Sequence, residues 1–108
     1  MHAKRKGYRV ERKIRIFFEK SGWTVVRAGA SLGAADLICL KRKNCILLQI
    51  KATKKKTLYY YGYKNPMFEG FPFYLVVDFG YNKIRILPPK TKISKLDGQA
   101  LDELLKNY

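Results

Sequence analysis

Apolar and polar positions along the chain mark out a short series of elements. From Tyr8 to about Ser21, Val10, Ile14, Phe17 and Phe18 recur at i, i+4, i+7 and i+8, while Arg9, Arg12, Lys13, Arg15, Glu19 and Lys20 fill most of the remainder. That spacing predicts a helix with one buried stripe, closed at Ser21-Gly22 with Gly22 as its cap. Trp23–Arg27 reads as a short strand, and Ala28–Ala35 (AGASLGAA) as a small-residue loop. Asp36–Leu40 is apolar and alternating, Lys41–Asn44 is a polar turn and Cys45–Ile50 is apolar again, which predicts a β-hairpin. Gly62, Pro66, Gly70 and Pro72 break the next stretch and exclude a long helix there. Phe73–Phe79 is a strong strand, Gly80–Asn82 a turn, and Lys83–Leu87 a half-exposed strand stopped by Pro88-Pro89. From about Ser94 to Lys106, Leu96, Ala100, Leu101, Leu104 and Leu105 share one side of a predicted closing helix. The order helix, strand, hairpin, hairpin, helix describes an α/β (α+β) fold, a central mixed sheet of about five strands flanked by helices. The 108 residues suit one domain, 1–108, in which residues 1–6 read as a basic flexible arm.

The hairpin brings chemistry together. Folding it about Lys43–Asn44 sets Asp36 opposite the Gln49–Lys51 end, and Gln49 and Lys51 share one face because side chains alternate along a strand. An acid, an amide oxygen and an ammonium then meet at one sheet edge, as in the metal-and-phosphate corner of a nuclease. Phosphodiester cleavage needs a divalent ion among hard oxygens, an activated water and a counter-charge for the phosphate. Asp36 can bridge one or two Mg²⁺ ions, Gln49 can offer its side-chain carbonyl and Ile50 its main-chain carbonyl. Lys51 can orient or deprotonate the attacking water. Glu11 borders the buried stripe of the first helix; it could hold a metal-bound water, or simply stabilise the helix N-terminus. Ser31 can offer a hydroxyl and an N–H to a phosphate, although its loop also reads as an ordinary tight connection.

Charge sharpens this picture. The formal net charge is +15, and residues 1–56 hold 16 of the 23 Lys and Arg against only three acids, Glu11, Glu19 and Asp36. Such an excess suits nucleic acid, since neutralising phosphates releases counterions, though a solvated basic surface of the ribosomal-protein kind carries the same signal. The candidate nucleic-acid contacts are Lys4, Arg5, Lys6, Arg9, Arg12, Arg27, Ser31, Lys54, Lys55 and Lys56. His2, the only histidine, is a poor candidate for a general base. Cys39 and Cys45 sit in apolar runs and read as buried reduced thiols. Tyr59, Tyr60, Tyr61 and Tyr63 crowd beside Phe68 and Phe71, as a cover for the sheet, a dimer surface, or platforms for stacking bases. No secretory signal fits the N-terminus and no apolar stretch approaches the roughly 20 residues of a membrane span. The expectation is an intracellular, cytoplasmic, nucleoid-associated protein with no membrane partner and no small-molecule cofactor.

At these residues the chain resembles the archaeal-type Holliday junction resolvases, members of the PD-(D/E)xK nuclease superfamily. The likeness covers residues 5–56 and runs through RKGYRVERKIRIFFEKSGWTVVRAGAS, AADLICL and ILLQIKATKK. It implies a restriction-endonuclease-like core and a catalytic set of Glu11, Asp36, Gln49 and Lys51. Arg12 and Ser31 fall where the family has residues that support cleavage or contact DNA. It further implies a homodimer, Mg²⁺ or Mn²⁺, and paired nicks in four-way DNA junctions, from an archaeal or phage genome. The chain departs from the family pattern at three places. Ala35 stands where Pro usually precedes the acid, Gln49 replaces the second acid, and the Tyr-rich segment replaces a helix after the lysine strand. These departures keep two alternatives open: a related nuclease for other branched or duplex DNA, and a catalytically degenerate nucleic-acid binder.

Overall fold

The computed structural model describes residues 2–29 and 33–108, and the side chains among them from Arg9 onward. Helix α1 spans His2–Lys20. It therefore begins at His2 rather than Tyr8 and takes in the basic run expected to precede it. Gly7 does not interrupt it, because one glycine costs a helix only about 1 kcal/mol and the lysines and arginines around it are good helix formers. Val10, Ile14 and Phe18 form the buried stripe. The helix stops as its sequence predicts. Gly22 adopts φ 93, and the Trp23 N–H reaches back to the Phe18 carbonyl at 3.0 Å. The Phe18 and Trp23 rings meet edge to face at 5.7 Å, the apolar contact that accompanies this kind of cap.

Strands β1 (Thr24–Arg27), β2 (Leu37–Lys41) and β3 (Asn44–Ala52) form an antiparallel meander. The predicted hairpin is present, with Arg42 and Lys43 as its two-residue turn and Arg42 in the left-handed region at φ 57. Two short strands, β4 (Thr57–Tyr59) and β5 (Met67–Phe68), and the long β6 (Phe71–Asp78) follow. β7 (Ile84–Leu87) and β8 (Lys92–Ser94) come next. β3 pairs in parallel with β6, which also carries β5 and β7, so the central sheet is mixed and has six strands, one more than expected. β4 and β8 form a separate two-stranded sheet.

Alternation along the strands divides the interior. Leu37, Cys39, Ile46, Leu48, Val76 and Ile86 pack on α1 and on α2 (Leu101–Leu105). Leu75, Val77 and Leu87 face the other way with Tyr60, Phe79 and Ile93, and Leu47 and Phe73 join Ala28 and Ala35. Cys39 and Cys45 are both free and belong to opposite sides of the sheet. Burial pushes the Cys39 thiol up to about 12, as suits a small apolar side chain. Among the described residues no helix is long and apolar enough to cross a membrane.

The closing helix is five residues long, not the thirteen predicted from Ser94 to Lys106. The backbone before it serves the sheet instead. Ile86 and Gln99 exchange N–H···O=C bonds of 2.9 and 3.0 Å, and the Asp97 carboxylate accepts the Ser94 N–H at 2.7 Å. Leu96, expected on the packed side, is 87% exposed. Gly98 makes this path possible: its φ is 69, and a Cβ there would lie 2.5 Å from the Ile86 carbonyl oxygen. Gly98→Ala should lower stability by about 1–3 kcal/mol in denaturant unfolding, since strain adds to collision. Gly29→Ala, where φ is 59 but nothing lies within 4 Å, should cost visibly less.

Candidate active site

The ends of β1, β2 and β3 converge at one end of the sheet. Asp36 stands one residue before β2. Its N–H donates to the Leu48 carbonyl (2.7 Å) and its carbonyl accepts the Ala28 N–H (2.9 Å), so both neighbouring strands fix its backbone. Pairing of Leu37 with Leu48 places Asp36 beside Gln49, as the hairpin register predicts. Asp36 Oδ2 accepts the Ile50 N–H at 2.8 Å and the Gln49 Nε2 at 2.9 Å. Because the Gln49 nitrogen is the donor, its carbonyl oxygen is the atom left for another partner. Asp36 Oδ1 is the carboxylate oxygen these two donors do not use.

The electrostatics ties four residues together. Burial raises the Asp36 pKa above the ordinary carboxylate range and the negative charge of Glu11 raises it further; the Ile50 hydrogen bond and the Lys51 charge act the other way. Glu11 thus leans from α1 toward the head of β2. Its Oε1 accepts a hydrogen bond from Arg27 Nε at the end of β1. The Arg27 side chain is 56% exposed, so the pair adds little to stability, and its effect is to aim the glutamate. Gln49 and Lys51 lie on the face of β3 away from the helix-packed Leu48, in a cleft of about 500 Å³. Ala34, Leu58 and residues 59–63 complete its walls.

Glu11, Asp36, Gln49, Ile50 and Lys51 are therefore all at one corner. Arg27, expected to contact nucleic acid, is engaged with Glu11. Arg9 and Arg12 are exposed on α1, where with Lys13 and Ile16 they line a shallow basic groove. Lys54, Lys55 and Lys56 are exposed just after β3. Lys4, Arg5 and Lys6 lie in the first turns of α1, and Ser31 lies outside the described residues. Among the described residues no group of three or more His, Cys, Asp or Glu is placed to hold a metal ion.

Two features escape the sequence reading. Asp78 is 6% exposed at the end of β6; it pairs with Lys13 of α1 at 3.3 Å and accepts the Gly80 N–H at 2.7 Å. This pins the helix to the sheet beside the site, and a lone acid in the apolar run FYLVVDF was its visible signal. The second is Tyr60, a wall of the cleft. Burial raises the pKa of its phenol and the Asp36 charge adds to this, against a hydrogen bond from the Tyr63 backbone.

An acid heading one strand, Gln-x-Lys on the next and a glutamate from the first helix, on a mixed sheet, define a restriction-endonuclease-like nuclease fold. Residues 2–64 match the family described as archaeal Holliday junction resolvase (hjc), and the chain belongs to that family, which places it among junction-resolving nucleases. No curated protein matches the chain. Among solved structures it is similar to Archaeoglobus fulgidus Hjc, a Holliday junction resolvase from an archaeal hyperthermophile, with a TM-score of 0.75. The two are 18% identical, and the match covers 95% of this chain and 98% of that one.

A half-buried carboxylate with a raised pKa costs stability once it ionises. Its stabilising share is present below the unfolded-state pKa and is lost as pH rises through the folded one. Asp36→Asn keeps an acceptor for Ile50 and Gln49 and removes the charge. In metal-free buffer it should unfold at higher denaturant than wild type at pH 7, with the gap closing toward pH 4.

Proposed function

We propose that the protein is a divalent-metal-dependent endonuclease that works as a homodimer and resolves four-way DNA junctions by paired nicks. The observation that carries this reading is the setting of Asp36, which bonds to Gln49 and Ile50 and lies within range of the Glu11 and Lys51 charges, in a chain of net charge +15. The donors are hard oxygens: the Asp36 carboxylate, the Gln49 amide oxygen and the Ile50 carbonyl, with Glu11 near. That set suits Mg²⁺ or Mn²⁺, which takes one or two carboxylates and completes its shell with waters and substrate phosphates. When bound, the ion would polarise the scissile phosphate and lower the pKa of a water. Lys51 faces the phosphate as a counter-charge and orients the attacking water. Arg27 holds Glu11 in position to accept a hydrogen bond from that water. Arg9, Arg12 and Lys54–Lys56 supply the salt-dependent grip on the backbone, and Lys4, Arg5, Lys6 and Ser31 are assigned to the same contact.

The direct test is cleavage of a synthetic four-way junction with Mg²⁺ or Mn²⁺. Asp36→Asn and Lys51→Ala should each lose at least about 100-fold in single-turnover rate, the loss seen on removing one group that stabilises developing charge, while still binding the junction. Wild type cutting no better than these variants overturns the reading.

One observation favours a second reading, a nucleic-acid clamp without cleavage: Gln49 leaves the corner one negative charge short. The two readings part at Gln49→Glu. A second carboxylate 2.9 Å from Asp36 Oδ2, where the amide now donates, would be repelled unless a cation lay between them. Its thermal unfolding midpoint should fall below wild type in chelator and rise more than wild type on adding Mn²⁺. Equal Mn²⁺ responses in the two proteins would remove these oxygens from the metal site.

A further inference from the structure

The run Tyr59-Tyr60-Tyr61-Gly62-Tyr63 sends its rings in different directions. Tyr59 and Tyr61 are 55% and 77% exposed, while Tyr60 is 4% exposed. The Tyr63 hydroxyl donates to the Met67 carbonyl at 2.6 Å and its ring packs edge-on against Phe68 and Phe73. The Tyr60 ring joins the apolar cluster of Leu75, Val77, Phe79, Leu87 and Ile93. Its polar end belongs to the cleft lined by Gln49 and Lys51, within range of the Asp36 charge.

Gly62 keeps that position open. It is not among the glycines of positive φ, so the backbone there does not require glycine. A Cβ at residue 62 would lie 2.5 Å from the Tyr60 hydroxyl oxygen and 2.7 Å from Cζ. Space for the phenol is the reason for glycine. The Tyr63 backbone N–H is near enough to the phenol oxygen to favour its charged form, against the effect of burial. The hydroxyl opens on the cleft that the residue lines, where a ligand oxygen can take its proton.

The geometry points to Tyr60 as a further active-site residue, its hydroxyl donating a hydrogen bond to the phosphate held at the Asp36–Gln49–Lys51 corner. This rests on the nuclease reading above. The other groups there leave room for such a donor. Asp36 and Glu11 only accept, the Gln49 amide gives one of its two N–H groups to Asp36, and the Tyr63 hydroxyl is spent on Met67. Of the cleft-lining side chains with a proton to give, Lys51, Tyr60 and the second Gln49 N–H remain beside the corner, and Tyr59 and Tyr61 project to solvent. A neutral donor fixed where charge gathers on the phosphate is worth more in the transition state than in the ground state.

The test is single-turnover cleavage of a synthetic four-way junction in Mg²⁺ by wild type, Tyr60→Phe and Tyr81→Phe. Phenylalanine keeps the ring in its apolar cluster, so the unfolding midpoint of Tyr60→Phe should match wild type. Its junction affinity should stay within about twofold and its rate should fall about 10- to 100-fold, the range for one hydrogen bond to a charged group. Tyr81 is fully exposed in the turn between β6 and β7 and outside the cleft, so Tyr81→Phe should cut like wild type. A Tyr60→Phe rate within twofold of wild type overturns the proposal, as does a loss that tracks a lowered unfolding midpoint, which marks a packing role. A wild-type chain that leaves every junction uncut overturns the nuclease reading and this role together, a result distinct from either.

Discussion

The hydrogen bonds at the Asp36 carboxylate join the fold to its chemistry. Oδ2 takes the main-chain N–H of Ile50 and the side-chain amide of Gln49, so a group at the head of β2 is held by β3 before any ligand arrives. That arrangement exists in one register only. Sliding β2 by one residue against β3 would exchange the two faces and swing Leu37 and Cys39 out of the core. The burial of Leu37, Cys39, Ile46 and Leu48 against α1 therefore fixes where the acid stands. The cost is a half-buried charge with a raised pKa, made worse by Glu11. Stability is given up locally at functional sites in this manner, and the apolar packing elsewhere absorbs it.

Gln49 changes how the corner is held. Two carboxylates at hydrogen-bond distance repel unless a cation or a proton sits between them. An amide in the same place donates to Asp36 and accepts with its other end, so the geometry is set without a cation. One negative charge is lost and preorganisation is gained. The Lys13–Asp78 and Arg27–Glu11 pairs serve the same end from α1. The first ties the helix to β6, and the second orients the one carboxylate the helix sends toward the site. Neither needs to be strong to do this, because each selects among orientations of side chains whose backbone is already fixed.

What was legible in the sequence is what local pattern determines. The Val10–Ile14–Phe18 stripe, the Gly22 cap and the hairpin follow from spacing and residue type, although its turn, read as Lys41–Asn44 and folded about Lys43–Asn44, closes on Arg42 and Lys43. So does the Asp36–Gln49 juxtaposition, which needs only period-two alternation and a turn. Non-local pairing was not legible. Nothing in Leu47–Ala52 or Phe73–Asp78 announces that these strands run parallel. The leucines after Ser94 kept helical spacing, yet Asp97–Gln99 was drawn into contact with Ser94 and Ile86 and shortened the helix. Tyr60 was hidden for a related reason. In a run of four tyrosines and one glycine there is no polar contrast to say which ring turns inward, and the choice is made by the apolar cluster across the sheet. The Arg27 charge was visible and its bond to Glu11 was not, because that contact joins β1 to α1 across 16 residues.

The central claim is that a divalent cation binds at the Asp36 carboxylate beside the Gln49 amide oxygen. It is tested most directly by NMR, following backbone and side-chain amides during a titration with Mn²⁺, whose unpaired electrons broaden nearby resonances. The account predicts that the Ile50 amide and the Gln49 side-chain NH₂ broaden first and together, and that both stay sharp at the same Mn²⁺ concentration in Asp36→Asn. Broadening that begins elsewhere on the chain, or that is identical in the two proteins, would contradict it.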